Sequence, residues 1–290
     1  MLMRIRFLSA VFLGAGLSAV GCGDDDPTSD TGTGTGMGTG NGRVDAGPVD
    51  TGGSGMVDMG MQMQRCEPAA MVECVDAQIT DLNLFDTPSP DGVTNEPLDE
   101  GFRSVIDATG GVMFGGGPPV PTQSYVYLRF TESGLEKVEL SDEEAFESAD
   151  WDIAARRFIV RLNSGVSGPS CVQIARTAPD TEFGALTEVP DGLDYRTEEY
   201  YSTGDCTIVS DGSGIGAPGT ALGSYWTYRG CVEMTGNVYV VELADGRSVK
   251  LEVESYYSPD VQEFCDANGR LPEDTPSGSG RVQLRWAFLD

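Results

Sequence analysis

The stretch WDIAARRFIVRLNSGVSGP, residues 151–169, decides the fold. Side chains alternate along a strand. Read as one strand, it puts Trp151, Ile153, Ala155, Arg157, Ile159, Arg161 and Asn163 on one face. Asp152, Ala154, Arg156, Phe158, Val160 and Leu162 fall on the other. Both faces are mainly apolar, which suits a central strand buried on both sides. Arginines in such a strand need carboxylates or several acceptors. Arg157 and Arg161 share a face and could grip a paired anion; ion pairing to nearby acids is the competing explanation. SGVSGP then supplies a flexible corner where the strand leaves the sheet.

Working outward, strand signals dominate. SYVYLRFT (124–131) sets Val126, Leu128 and Phe130 against Tyr125 and Tyr127, and LEKVEL (135–140) follows as a hairpin partner. In NVYVVELADGRSVKLEVESYYS (237–258), Asp245-Gly246 reads as the centre of a type I′ turn. Val249, Leu251 and Val253 alternate there with Lys250, Glu252 and Glu254, one face dry and one wet. RVQLRWAFLD (281–290) aligns Val282, Leu284, Trp286 and Phe288. The best helix is SDEEAFES (141–148), where Ser141 and Glu144 fit a capping box. Residues 205–224 read as a Gly-rich loop, without the lysine of a phosphate loop. The fold class is all-β and antiparallel, with one or two short helices at most.

Composition narrows the chemistry. The chain has 46 acidic and 18 basic residues, a net charge of −28, and no histidine. Such a charge repels nucleic acid. Without histidine there is no Ser-His-Asp or Cys-His catalysis and no His-ligated metal. The carboxylates show no recognisable catalytic pair, so the chain reads as a non-enzyme. MLMRIRFLSAVFLGAGLSAVGC (1–22) has a basic start and an apolar run too short to span a bilayer. It reads as a signal peptide (1–21) ending in a lipobox, with lipidation at Cys22. Residues 22–64 read as a disordered acidic tether. Residues 65–290 form the β domain, displayed at the outer membrane or cell surface. Met56, Met59, Met61 and Met63 could bind Cu(I), but compositional drift explains them as well.

Six cysteines remain: Cys66, Cys74, Cys171, Cys206, Cys231 and Cys265. An even number in an exported chain favours disulfides. The local pair Cys66–Cys74 is the expected bridge; the other pairings stay open.

Four segments, in order, resemble the HmuY-like haem-binding lipoproteins. They are WDIAARRFIVRLNSGVSGP, FGALTEVPDG (183–192), VYVVELADGRSVKLEVESYY (238–257) and GRVQLRWAFL (280–289). The resemblance covers about 120–290 and implies an all-β fold with a hairpin-lined cleft. It also implies haem capture, with iron held between two axial side chains, and delivery to an outer-membrane receptor. Relatives place histidines or methionines at the iron, between the corner and the penultimate hairpin. In that region this chain offers only Met234, Cys231 and the tyrosines Tyr195, Tyr200, Tyr201, Tyr225 and Tyr228. Tyrosine ligates iron in some haem proteins. The implied site is therefore Met234 with Tyr228 or another tyrosine at the iron, and Arg157 or Arg161 near the propionates; Met113 is a weaker candidate. The alternative is a surface module without haem, binding a protein partner or calcium through acidic loops such as YSPD (257–260).

Overall fold

The computed structural model describes residues 71–112 and 120–289. Cys22, the tether, its methionines, Cys66 and Met113 lie outside the described residues. In chain order come α1 (Val75–Asp81), β1 (Val93–Pro97), β2 (Phe102–Asp107), β3 (Gly111–Val112), β4 (Val120–Pro121), β5 (Val126–Thr131) and β6 (Gly134–Val138). There follow α2 (Asp142–Ala145), β7 (Ile153–Arg156), β8 (Ile159–Leu162), β9 (Gln173–Arg176), β10 (Tyr201–Ser202) and β11 (Thr207–Ile208). The last are β12 (Trp226–Tyr228), β13 (Val232–Met234), β14 (Val238–Glu242), β15 (Ser248–Ser255), α3 (Pro259–Asn268) and β16 (Arg281–Leu289). A six-stranded sheet, β1-β2-β16-β15-β14-β9, packs against a four-stranded one, β6-β5-β7-β8. Every strand pair is antiparallel, as expected.

The core lies between these sheets. Val126, Leu128 and Phe130 of β5 meet Val249, Leu251 and Val253 of β15 and Val282, Leu284 and Trp286 of β16 in one buried cluster.

The opening stretch is a hairpin, not one strand. Arg156 pairs with Ile159 and Ile153 with Leu162, so the chain reverses at Arg157-Phe158. Arg157 takes φ 55°, the positive φ that tight two-residue hairpin turns demand. The reversal re-sorts the faces. Ile153, Ala155, Val160 and Leu162 now share one side and enter the main core. Ala154, Arg156, Ile159 and Arg161 share the other. Both arginines there are buried, stacked on the Tyr125 ring at 4.1 and 4.2 Å. Arg157 stands apart, bonded to Ser279. The expected pairing of Arg157 with Arg161 on one face is therefore corrected.

The corner after β8 is closed by packing. Asn163 donates to the carbonyls of Trp151 (2.8 Å) and Ser148 (2.9 Å) and accepts from the Ser170 N–H (3.0 Å). A β-carbon on Gly168 would stand 2.1 Å from Asn163 Oδ1 and 2.9 Å from the Trp151 ring. Gly168→Ala is expected to lower stability by about 1–3 kcal/mol through overpacking, read by urea denaturation.

Several local expectations change. The capping box on α2 is present, with Ser141 Oγ accepting from Glu144 N and Glu144 accepting from Ser141 N. The β14–β15 turn is not type I′. Gly246 alone has positive φ, and its N–H bonds Leu243 O, which makes a type I turn followed by a bulge. Lys250 is fully buried rather than wet. Its ammonium donates to the Leu186 and Phe183 carbonyls and to Glu100, beneath the 183–195 segment that covers this side of the sheet. Cys74 bonds Cys206, not Cys66. Cys231 bonds Cys265, and Cys171 is disulfide-bonded as well. YSPD is not an acidic loop: Ser258 is the N-cap and Pro259 the first residue of α3.

Candidate functional site

The segment from Asp194 to Tyr228 crosses the β9 edge of the larger sheet and leaves an open groove there. Ile174 of β9 exchanges backbone hydrogen bonds with Arg196, which carries the sheet one residue further. Three adjoining cavities share Arg196 and Ala221. One, of about 320 Å³, is lined by Arg176, Thr177, Asp194, Arg196, Ser224 and Tyr239. Another, of about 650 Å³, is lined by Val209, Trp226 and Tyr228 and by the glycines and hydroxyls of 210–224. The third lies against Tyr195 and Glu199.

The wall at Tyr228 is apolar and solvent-facing. Tyr228 is 40% exposed and Val209 45% exposed, beside Ile208 at 38%. Exposed large apolar groups gathered in one place mark a binding surface. At the opposite end, Ser224 Oγ and the Tyr239 hydroxyl lie 2.9 Å apart. Arg196 is held by Asp194 at 3.0 Å.

Glu198 couples the groove to the 151–169 hairpin. It is fully buried and accepts from Leu162 N (2.8 Å) and Ala221 N (2.9 Å). Its backbone carbonyl accepts from Val166 N. Burial raises its carboxyl pKa to about 7, although both N–H groups pull it down. The unfolded chain releases this proton near its ordinary value of 4.5, so the folded state holds more protons between pH 4.5 and 7. This residue therefore makes stability fall as pH rises through that window. Glu198→Gln is expected to flatten the fall relative to the unmodified protein, measured by denaturation at pH 4.5 and pH 8.

The sequence-derived site residues do not assemble into one centre. Arg161 is buried, donating to the Tyr127 and Tyr200 hydroxyls, with no approach to the groove. Arg157 packs against Tyr256 and Ser279, and lines none of the three groove cavities. Tyr228 is on the groove; Met234 lines none of its cavities. In the β12–β13 ladder Met234 faces Trp226 and Tyr228 faces Val232, so Met234 and Tyr228 project on one side of a single hairpin. Two axial ligands must reach an iron from opposite sides, which this arrangement does not provide. Tyr200, Tyr201 and Tyr225 are buried, and their hydroxyls are engaged by Arg161, Asp81 and the Phe158 carbonyl. Burial raises all three phenols, Tyr201 to about 12. Tyr195 reaches the groove half-buried, its phenol raised by burial and by Glu242. Arg176, Arg196 and Tyr239 were not singled out by sequence. Among the described residues no three His, Cys, Asp or Glu side chains are placed to hold a metal ion.

The HmuY protein family model matches residues 121–266, which include the 151–169 hairpin, its corner and the groove. No curated protein matches in sequence. Among solved structures, an HmuY-like protein of Bacteroides vulgatus is 18% identical with a TM-score of 0.39, over 67% of this chain and 96% of that one. An apo HmuY analogue of Tannerella forsythia is 18% identical with a TM-score of 0.36, over 71% of this chain and all of that one. A lipoprotein of Bacteroides fragilis is 16% identical with a TM-score of 0.40, over 67% and 93%. By the match over residues 121–266, half of its length, this chain belongs to the HmuY protein family.

Proposed function

We propose that the protein is an exported, lipid-anchored binding protein, not an enzyme, which holds haem or a related tetrapyrrole in the groove between Arg176 and Tyr228. One observation carries the reading. The family-matched segment contains an open groove that joins an exposed aromatic and aliphatic wall to a polar end with two arginines. Such a groove suits a flat, amphipathic ligand. The donors on the groove are phenols: Tyr228 lines the large cavity, and Tyr195 and Tyr239 line the two adjoining ones. When bound, haem would supply an Fe(III) centre that a phenolate oxygen can ligate. The chain's own residues supply the apolar wall and the arginines.

Titration of the purified protein with haem tests this. The expected result is a saturable one-to-one Soret change whose position moves in Tyr228→Phe. A response no larger than that of an unrelated acidic protein would refute it. Export rests on residues 1–22. Among the described residues no helix is long and apolar enough to cross a membrane. Cys22→Ala is expected to move the protein from the membrane fraction to the soluble one; unchanged membrane retention would refute lipidation there. The exposed Ile208 and Val209 favour a second reading, contact with a receptor protein at the groove mouth.

A further inference from the structure

We infer that the polar end of the groove is a carboxylate-binding site centred on Arg176, and that the ligand's carboxylate rather than a metal fixes its orientation. The inference rests on the tetrapyrrole reading above and names the group that is recognised.

Three observations carry it. First, the strand register brings two arginines together. Arg196 is opposite Ile174 and Tyr239 is opposite Arg176, so Arg176, Arg196 and Tyr239 lie on one face. Arg176 and Arg196 are diagonal neighbours, a relation that spans about 7–8 Å in an antiparallel ladder. That span suits two guanidinium groups converging on one carboxylate. Second, Arg176 is exposed, and no hydrogen bond or ion pair engages its guanidinium among the described residues. In a chain with 46 acidic residues most arginines find a carboxylate, as Arg103, Arg129, Arg156, Arg229 and Arg247 do. Third, the small cavity beside Arg176 adds the Ser224 and Tyr239 hydroxyls, whose mutual bond leaves one proton to donate; the Thr177 hydroxyl is spent on the Val238 carbonyl. Planar guanidinium groups match carboxylates in a two-pronged geometry that hydroxyls can complete.

Charge sharpens the argument. A net charge of −28 disfavours any anionic ligand at long range. An anion is held only where local positive charge outweighs that field. Asp194 lines the same small cavity but is paired with Arg196 at 3.0 Å, so Arg176 is the guanidinium of the two that no carboxylate engages among the described residues. With the carboxylate fixing the orientation, a metal-free porphyrin loses little in this groove. A porphyrin whose acids are masked loses much.

The test titrates the purified protein with protoporphyrin IX and with its dimethyl ester in the same dilute detergent. The free acid is expected to bind one-to-one and the ester at least tenfold more weakly. Arg176→Gln is expected to weaken the free acid to the level of the ester and leave the ester unchanged. An unchanged melting temperature will show that this exposed substitution spares the fold. Equal binding of acid and ester, or no effect of Arg176→Gln, would overturn the carboxylate site while leaving a tetrapyrrole groove. Binding of neither porphyrin would overturn the carboxylate site, and failure of haem to bind as well would overturn the tetrapyrrole reading with it.

Discussion

Replacing Asp142 by alanine is expected to destabilise the protein by about 3–5 kcal/mol, the cost of breaking a buried ion pair from one side. Asp142 is fully buried at the start of α2. Its carboxylate accepts from Tyr125 N (2.9 Å), Phe85 N (3.1 Å), the Tyr127 hydroxyl (2.8 Å) and Arg156 (3.3 Å). Alanine would strand two backbone donors and a guanidinium that is 4% exposed. Arg156 would keep only the Leu82, Asn83 and Gln123 carbonyls. Asp142→Asn is expected to cost less, since one amide oxygen still accepts. Urea denaturation of both variants checks the order; equal or negligible losses would contradict the role given to this carboxylate.

Trp286→Ala is expected to cost about 3–5 kcal/mol, the range for deleting a large buried aromatic. Trp286 is fully buried in β16 and joins the two sheets. Its ring stacks on Phe102 of β2 at 5.1 Å and meets Phe130 of β5 edge-on at 4.9 Å. Its indole N–H donates to Ser104 Oγ at 2.8 Å. Alanine leaves a cavity between the sheets and takes away the indole donor to Ser104 Oγ, whose own proton stays on Asn95 Oδ1 at 2.6 Å. Trp286→Phe is expected to recover part of the loss by refilling the space. A midpoint within 0.5 kcal/mol of the unmodified protein would contradict this packing.

The fold was legible in the sequence where alternation and local turns determine it. Val282, Leu284 and Trp286 share a buried face, as their spacing of two requires. The capping box at Ser141 needs four residues and nothing distant. Legibility failed where one local feature hid another. Counting alternation through Arg157-Phe158 mixed the faces of what is a hairpin. A trial reversal there would have sorted Ile153, Ala155, Val160 and Leu162 cleanly onto one side. Helix α3 escaped notice although Ser258-Pro259 is a strong start signal and Gly269, at φ 65°, a stop. Lys250 follows a wet-face alternation and is buried only because residues 183–195 fold over it. No local rule reveals that cover, or joins Cys74 to Cys206 across 132 residues.

The candidate site was less legible for the same physical reason. Tyr228 could be named because a phenol can ligate iron and this one falls between the corner and the penultimate hairpin. Arg176 and Arg196 lie 20 residues apart in sequence and meet only through the Ile174–Arg196 bridge. Arg157 and Arg161 drew attention by standing in the most distinctive stretch. Their surroundings show what that stretch does: it builds the aromatic and ionic layer under Tyr125 and, through Glu198, fixes the loop that carries Ala221.

The most direct test of the binding groove uses Ala221, which lines all three of its cavities. Haem would be titrated into the unmodified protein and into Ala221→Trp, with melting temperature as the check on folding. The groove account predicts saturable one-to-one binding in the unmodified protein and at least tenfold weaker binding when the indole fills the groove. Equal affinity in both, or no saturable binding in either, would contradict it.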